Sequence, residues 1–125
     1  RQYFLDAYNA NPSSMEASIE GFLDYCKFKK IKVDSCLFVL GDMNEIGKDL
    51  ESHHRMLGSF LNNKGLANVI FVGKHSHYYK NGYKDDCKLF SDVESLQLVW
   101  EKIITNFDYI FLKGSRTVKL EYLLD

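Results

Sequence analysis

The sequence predicts an α/β protein with a Rossmann-like, doubly wound, mainly parallel β-sheet and helices on both faces. Short runs that are apolar throughout alternate with stretches whose apolar residues recur every three or four positions. Strands of a parallel sheet are buried on both faces and are therefore apolar throughout, whereas the covering helices are apolar on one side only. Each apolar run is followed by a glycine or a polar residue, as expected where a short strand ends.

Five runs are predicted strands. The first consists of Tyr3, Phe4 and Leu5, stops at the polar Asp6, and is interpreted as a buried strand. The other four are residues 36–40, 69–72, 88–90 and 109–112. Ligands of open parallel sheets bind beyond the carboxyl ends of the strands, so the residues after these runs are the ones to inspect for a site.

A helix is predicted after the first strand, because apolar residues recur there at helical spacing, at Met15, Ile19, Phe22, Leu23 and Cys26. Its start allows two interpretations. Asn11 and Pro12 suit the N-cap and the first helical position, whereas Ser13 and Glu16 would form a capping box.

The remaining connections are assigned in the same way. A second helix has an apolar face of Leu50, His54, Leu57 and Leu61 and ends at Lys64 and Gly65. A Tyr- and Lys-rich loop, with room for an optional helix, follows the third strand. A single third helix is marked by Val93, Leu96, Trp100, Ile103 and Ile104, and residues 117–124 are predicted to form a last helix. The predicted order is βαβαβ(α)βαβα.

Length and charge limit the possible functions. A chain of 125 residues fits one domain, here residues 1–125, and its start at Arg1 suggests a fragment of a longer polypeptide. A net charge of -1 argues against binding to nucleic acid or to an anionic membrane. No apolar run is long enough for a membrane helix, and the odd count of 3 cysteines favours a reducing cytoplasm. We therefore expect a soluble protein.

Polar residues follow the first strand, where Asp6, Asn9 and Asn11 precede a helix N-terminus. A carboxylate can accept hydrogen bonds from sugar hydroxyls, and a helix N-terminus offers N–H groups to an anion. Alternatively, these residues only shape the turn and cap the helix. For each residue alone the two interpretations are about equal, and for the three together we favour a binding site.

Two further segments are candidates. The loop after the second strand holds Asp42 and Glu45, which could bring carboxylates to a site or lie in a solvated loop. After the last strand, Lys113, Ser115 and Arg116 suit an anionic partner, because a guanidinium can hold a carboxylate or phosphate in a bidentate fork. On chemistry alone, an exposed turn is nearly as well supported for this segment as an anion-binding site.

His54, on the apolar face of the second helix, is expected to be a packed, hydrogen-bonded histidine rather than a general base.

These segments together resemble the third domain of the Mur ligase family, and within it the members that add D-Ala-D-Ala. The matching segments are residues 6–15 (DAYNANPSSM), 40–47 (LGDMNEIG) and 112–116 (LKGSR), followed by residues 119–121 (KLE). His54 and Gly58 also fit the pattern. The similarity covers nearly the whole chain, in the right order.

The resemblance implies a three-domain cytoplasmic enzyme that is a monomer. Its central domain would carry the ATP phosphate-binding loop and most Mg²⁺ ligands, which agrees with the absence of a GxxxxGK[ST] motif here. ATP would activate the terminal carboxyl of UDP-MurNAc-tripeptide as an acyl phosphate, which the amine of D-Ala-D-Ala attacks. The isolated chain is expected to be inactive.

By resemblance, Asp6 would contact the ATP ribose, with Asn9 and Asn11 nearby. Lys113, Ser115 and Arg116 would lie near the dipeptide, with Arg116 at its carboxylate. The alternatives are another amide ligase of the superfamily that includes folylpolyglutamate synthases, or a non-catalytic Rossmann-like binding domain.

Overall fold

A computed structural model of the chain describes residues 1–7, 9–44 and 47–124. Its centre is a five-stranded sheet in the order β1-β5-β2-β3-β4, and all the paired strands are parallel. The strands are β1 (Gln2–Asp6), β2 (Cys36–Gly41), β3 (Val69–Val72), β4 (Cys87–Phe90) and β5 (Tyr109–Lys113). The predicted fold class is confirmed, and all five predicted strands are present.

Helices cover both faces of the sheet. They are α1 (Pro12–Lys29), α2 (Leu50–Asn63), α3 (Ser76–Gly82), α4 (Val93–Gln97) and α5 (Trp100–Ile104), with 3-10 turns at Val33–Ser35, Arg116–Val118 and Leu120–Leu124. Residues of α1, α2 and α3 share one hydrophobic cluster with alternate strand residues. Those of α4, α5 and the C-terminal 3-10 turns share a second cluster with the other strand residues. The sheet is therefore doubly covered, as predicted.

The start of α1 decides between the two predicted caps. The Asn11 side chain accepts a hydrogen bond from the Ser14 N–H at 3.0 Å, and the Ser14 hydroxyl accepts one from the Asn11 N–H. Pro12 takes the first helical position. The interpretation with Asn11 as the N-cap is confirmed, and the capping box of Ser13 and Glu16 is wrong because Ser14 takes that part.

The strand β1 differs from the prediction of a buried strand. It lies at the edge of the sheet, paired only with β5 among the described strands, and Tyr3 and Leu5 remain 39% and 38% exposed. The strand β2 lies in the middle, and all six of its residues are buried. The apolar pattern therefore identifies both strands, but only their places in the sheet determine how deeply they are buried.

The helix α3 lies within the predicted Tyr- and Lys-rich loop, at the place of the optional helix in the predicted order. Its inward residues are Ser76, Tyr79 and Gly82, which give no apolar periodicity in the sequence. It packs closely on α2, because a Cβ built on Gly58 would overlap the Tyr79 carbonyl oxygen and lie 3.0 Å from the Tyr83 amide nitrogen. The Tyr79 hydroxyl then donates to the Gly41 carbonyl oxygen at 2.7 Å, which fixes the end of β2.

Two predicted helices take other forms. The single third helix is divided into α4 and α5 at Val99, whose backbone leaves the helical region at φ -120 and ψ 4. Val99 is β-branched, and such side chains lose rotamer freedom in a helix. The predicted C-terminal helix is a pair of 3-10 turns, because Lys119 between them adopts the left-handed conformation at φ 63. Most apolar residues of both segments still face the core, but Leu98 and Leu124 are exposed.

Candidate functional site

Three loops meet at the carboxyl edge of the sheet, because β1, β5 and β2 are neighbours there. The pairing sets Asp6 on β1 opposite Lys113 on β5, and Lys113 in turn opposite Leu40 on β2. The residues predicted from the ends of the first, second and last strands thus lie at one edge. The Gly114 N–H donates to the Asp6 carbonyl oxygen at 3.3 Å, which also joins the first and last loops through the backbone.

An ion pair occupies the centre of this edge. The Lys113 Nζ lies 2.5 Å from the Asp6 Oδ2, and it also donates to the Asn9 carbonyl oxygen at 3.0 Å. The two partners differ in exposure, since the Lys113 side chain is 1% exposed and the Asp6 side chain is 50% exposed. The carboxylate therefore faces solvent while its counter-ion is buried beneath it.

The two asparagines after β1 have different surroundings. Asn11 is the N-cap of α1, so its side chain is used to hold the start of that helix. Asn9 contributes its backbone carbonyl oxygen to Lys113, and the residue itself is exposed. Asn9 therefore has a side chain that can reach a ligand, whereas Asn11 shapes the loop that presents Asp6 and Asn9.

Asp42 is buried and joins the loop after β3, through its side chain, to the segment after β5, through its backbone. Its Oδ1 accepts a hydrogen bond from the His75 N–H at 3.1 Å, and its carbonyl oxygen accepts one from the Ser115 N–H at 2.9 Å. Burial raises the pKa of the Asp42 carboxyl, and hydrogen bonds from the backbone N–H groups of His75 and Lys74 oppose that rise. Gly73, at φ 132, leaves room for the carboxylate, which a Cβ there would overlap.

His54 is a packed, hydrogen-bonded residue, as the sequence predicts. Its Nε2 accepts a hydrogen bond from the Met43 N–H at 3.0 Å, so its Nδ1 carries the proton and donates to the Leu50 carbonyl oxygen at 2.7 Å. The residue is fully buried. Burial lowers the pKa of His54 to about 4, although the hydrogen bond to Leu50 opposes that shift. His54 therefore stays neutral and holds the loop after β2 in place.

The segment after β5 carries Ser115 and Arg116 at the same edge. Ser115 is buried, and its Oγ lies 2.8 Å from the Thr117 Oγ1. Thr117 also accepts a hydrogen bond from the Asn44 Nδ2 at 3.0 Å, which links this segment to the loop after β2. Arg116 is exposed, so its guanidinium lies at the surface of the edge. Glu45, the remaining predicted site residue, lies outside the described residues.

Two glycines bring the loops after β2 and β5 into backbone contact. A Cβ on Gly114 would lie 2.8 Å from the Gly41 Cα and 3.0 Å from the Gly41 nitrogen. A Cβ on Gly41 would in turn lie 3.3 Å from the Gly114 Cα. Only residues without a side chain fit this approach, and Val118 and Leu120 pack against it.

A cleft of about 420 Å³ opens beside this contact, between the ends of β2, β3 and β4 and the 3-10 turn after β5. Asp42, Asn44, Lys74, Thr117 and Lys119 are among the residues that line it. None of these last three was among the predicted site residues. Lys74 follows a strand end, which is a signal that could have identified it, whereas Thr117 and Lys119 were assigned to a helix.

A larger cleft of about 530 Å³ lies around the amino ends of β3 and β4, away from all the predicted site residues. Within residues 1–7, 9–44 and 47–124, no three His, Cys, Asp or Glu side chains are grouped as a metal site requires. No helix in that part of the chain is long and apolar enough to cross a membrane.

Comparison with known proteins relates this geometry to a family. Residues 1–116 match the family model described as Mur ligase, glutamate ligase domain. The chain is 30% identical over 122 residues to a UDP-N-acetylmuramoyl-tripeptide–D-alanyl-D-alanine ligase of Rickettsia prowazekii, covering 96% of this chain and 26% of the relative. It is 33% identical over 129 residues to the protein of that name from Treponema pallidum, covering 97% and 26%.

Solved structures agree with the sequence match. A crystal structure of MurF from Acinetobacter baumannii has a TM-score of 0.78 and 25% identity, over 98% of this chain and 26% of that one. The MurF ligase from Thermotoga maritima in complex with ADP has a TM-score of 0.74 and 25% identity, over 98% and 26%. The chain thus spans about a quarter of the length of the relatives it matches. Because the family model covers nearly the whole chain, the chain belongs to the Mur ligase family and forms its glutamate ligase domain.

Proposed function

We propose that this chain, residues 1–125, is the C-terminal domain of a three-domain ATP-dependent ligase that joins D-Ala-D-Ala to UDP-MurNAc-tripeptide. The proposal rests on the names that its relatives carry and on one structural observation. The Asp6 loop and the segment from Lys113 to Arg116 lie side by side at one edge of the sheet. An enzyme that uses ATP to couple two substrates needs its nucleotide and amine sites next to each other, because the activated carboxyl must meet the amine.

The nucleotide side of the site would be formed by Asp6 and Asn9. A half-exposed carboxylate beside the start of α1 suits the hydroxyl groups of a ribose, which donate hydrogen bonds. The Thermotoga maritima relative was solved with ADP, which supports a nucleotide ligand. Asn11 would act indirectly, as the cap that shapes this loop. The chain itself has no phosphate-binding loop motif.

Magnesium would be bound mainly by the central domain. Among the described residues, no three His, Cys, Asp or Glu side chains are grouped as ligands, and Mg²⁺ commonly takes one or two carboxylates together with phosphates and water. We therefore assign no step of the reaction in this domain to the metal.

The acceptor side would use Ser115, Arg116 and the adjoining cleft of about 420 Å³. A zwitterionic dipeptide needs a cation for its carboxylate and an anion or carbonyl for its ammonium group. Arg116 can supply a bidentate fork for the carboxylate, and the cleft brings Lys74 and Lys119 near Asp42. Its volume is ample for a ligand as small as D-Ala-D-Ala.

Domain closure would complete the site. The other two domains would bring the UDP-bound tripeptide and the phosphates of ATP, and closure onto this edge would exclude water. An acyl phosphate exposed to water hydrolyses, so exclusion protects the intermediate while positioning promotes attack by the amine. The enzyme would work as a monomer in the cytoplasm. A reducing compartment suits its free cysteines.

Amine selection by the full-length ligase tests this proposal. We expect ATP-dependent ligation to UDP-MurNAc-tripeptide with D-Ala-D-Ala preferred over single amino acids, and no ATP turnover by the 125-residue chain alone. Preference for another amine would instead assign the protein to a different amide ligase of the superfamily. Absence of ligation with every amine would favour a non-catalytic domain.

Arg116→Ala tests the acceptor site in the same enzyme. The KM for D-Ala-D-Ala is expected to rise by roughly tenfold or more, as for a lost charge-assisted hydrogen bond, with a smaller change for ATP. Arg55→Ala, which removes an exposed arginine from α2, is the matched control. A larger effect on ATP than on the dipeptide would move Arg116 to the nucleotide side.

A further inference from the structure

We propose that Lys113 is a positioning residue for the nucleotide, which acts through the carboxylate of Asp6 rather than by binding the dipeptide. This inference rests on the proposed contact between Asp6 and the ribose. It places Lys113 on the nucleotide side of the site, whereas the family resemblance suggests the dipeptide side.

The burial of Lys113 argues against direct contact with a ligand. Its side chain is 1% exposed, and its Nζ already has two acceptors, the Asp6 Oδ2 at 2.5 Å and the Asn9 carbonyl oxygen at 3.0 Å. A buried ammonium group is stable only while such partners are present. Lys113 has a third N–H, but a dipeptide carboxylate could reach it only if the residues that now cover the side chain moved.

Both acceptors of Lys113 belong to the segment that leads from β1 to α1. One is a side-chain oxygen of Asp6 and the other a backbone oxygen of Asn9, so a single ammonium group fixes both the carboxylate and the loop beside it. Parallel pairing of β1 with β5 sets Asp6 directly opposite Lys113. The contact is therefore built into the register of the sheet rather than into a mobile surface.

The asymmetry of the pair gives the carboxylate its function. Lys113 holds Oδ2 from below, while the half-exposed side chain of Asp6 still faces solvent. A carboxylate has enough lone pairs to accept a buried N–H and a ligand hydroxyl at the same time. Fixing one oxygen removes most of the rotation of the carboxylate before the ligand arrives, which lowers the entropy lost on binding.

The experiment measures binding of ADP and of 2′,3′-dideoxy-ADP to the full-length ligase by calorimetry. We expect Lys113→Met to weaken ADP binding roughly tenfold or more, as for loss of a charge-assisted hydrogen bond, and to change binding of the dideoxy analogue much less. Without ribose hydroxyls, the analogue has nothing for a well-placed Asp6 carboxylate to bind. Lys102→Met, which removes an exposed lysine from α5, controls for the change in net charge.

The Asp6→Asn variant separates this inference from the proposed function. If Asp6→Asn, and Asp6→Ala as well, leave ADP binding unchanged, the ribose contact itself is wrong, because only alanine removes every acceptor from this side chain. If Asp6→Asn weakens ADP binding but Lys113→Met does not, only the positioning role is overturned. When both act, the double variant should bind ADP little more weakly than Asp6→Asn alone, because Lys113 works through Asp6.

Two other outcomes overturn the inference. An equal loss of ADP and dideoxy-ADP on Lys113→Met would mean that general charge or folding, not ribose positioning, is affected. A rise in the dipeptide KM with unchanged ADP affinity would return Lys113 to the acceptor side. Should Lys113→Met fail to fold, Lys113→Gln keeps an N–H donor of similar reach, and its loss of ADP affinity should be smaller but still selective for the ribose hydroxyls.

Discussion

Gly58→Ala should destabilise the chain, although Gly→Ala inside a helix is usually favourable. Gly58 lies within α2, where alanine alone would add roughly 1 kcal/mol of helix stability. In this position the new Cβ would overlap the Tyr79 carbonyl oxygen of α3 and lie 3.0 Å from the Tyr83 nitrogen. Since a carbon and a carbonyl oxygen approach to about 3.3 Å at the closest, α2 and α3 would have to separate by about 1 Å.

The cost of that separation exceeds the gain in helix propensity. Overpacking of a buried contact typically costs about 1–3 kcal/mol. Separation would also strain the buried hydrogen bond from the Tyr79 hydroxyl to the Gly41 carbonyl oxygen. We expect a net loss of about 1–2 kcal/mol in the free energy of unfolding, which for a domain of this size lowers the Tm by about 4–8 °C.

Urea and thermal denaturation of the 125-residue chain measure this effect. The matched control is Gly21→Ala in α1, because a Cβ there meets no atom within 4 Å. That variant should be more stable than the wild type by roughly 0.5–1 kcal/mol. If Gly58→Ala were as stable as Gly21→Ala, the close approach of α2 to α3 would be refuted.

Two other predictions concern stability. Because the pKa of the buried His54 is about 4, the unfolded chain binds more protons than the folded one below pH ~6.5. The free energy of unfolding should therefore fall by about 2 kcal/mol between pH 7 and pH 5. Urea denaturation should show a weaker pH dependence of stability in His54→Gln. An equal pH dependence in the two proteins would contradict the low pKa of His54. Asn11→Ala should lower the free energy of unfolding by about 1 kcal/mol, because it removes the cap of α1. Ser13→Ala, at an exposed site, should leave stability nearly unchanged. Equal losses of stability in thermal melts of the two variants would contradict the role of Asn11 as the cap.

The sheet could be predicted from the sequence because its evidence is local. Each strand is an apolar run that ends at a glycine or a polar residue, and the helix α1 carries its own cap and periodicity. The helix α3 gave no such signal, since two of its three inward positions are Ser76 and Gly82. The exposure of β1 was also unpredictable, because strand order depends on long-range pairing.

The candidate site could be predicted as a set of strand ends but not as a set of contacts. Asp6 and Lys113 are 107 residues apart in the chain, and no local pattern states that they pair. The burial of Lys113 likewise follows from its place on β5, between β1 and β2. The segment after Arg116 was assigned to a helix, so Thr117 and Lys119 were not expected at the cleft wall.

The contact between Gly41 and Gly114 limits how this edge could be redesigned. A Cβ on Gly114 would force the Gly41 backbone to shift, and one on Gly41 would press on Val118 and Gly114, so substitution at either position should destabilise the chain. Lys74 and Thr117 line the neighbouring cleft, whereas Lys119 on its wall adopts the left-handed conformation at φ 63, which limits substitution there. Variants of the proposed acceptor site should therefore hold the two glycines constant and vary Lys74 and Thr117 in the cleft wall. The contact between the two glycines would hold the loops after β2 and β5 in place, while the substitutions in the cleft wall change which ligands the cleft can hold.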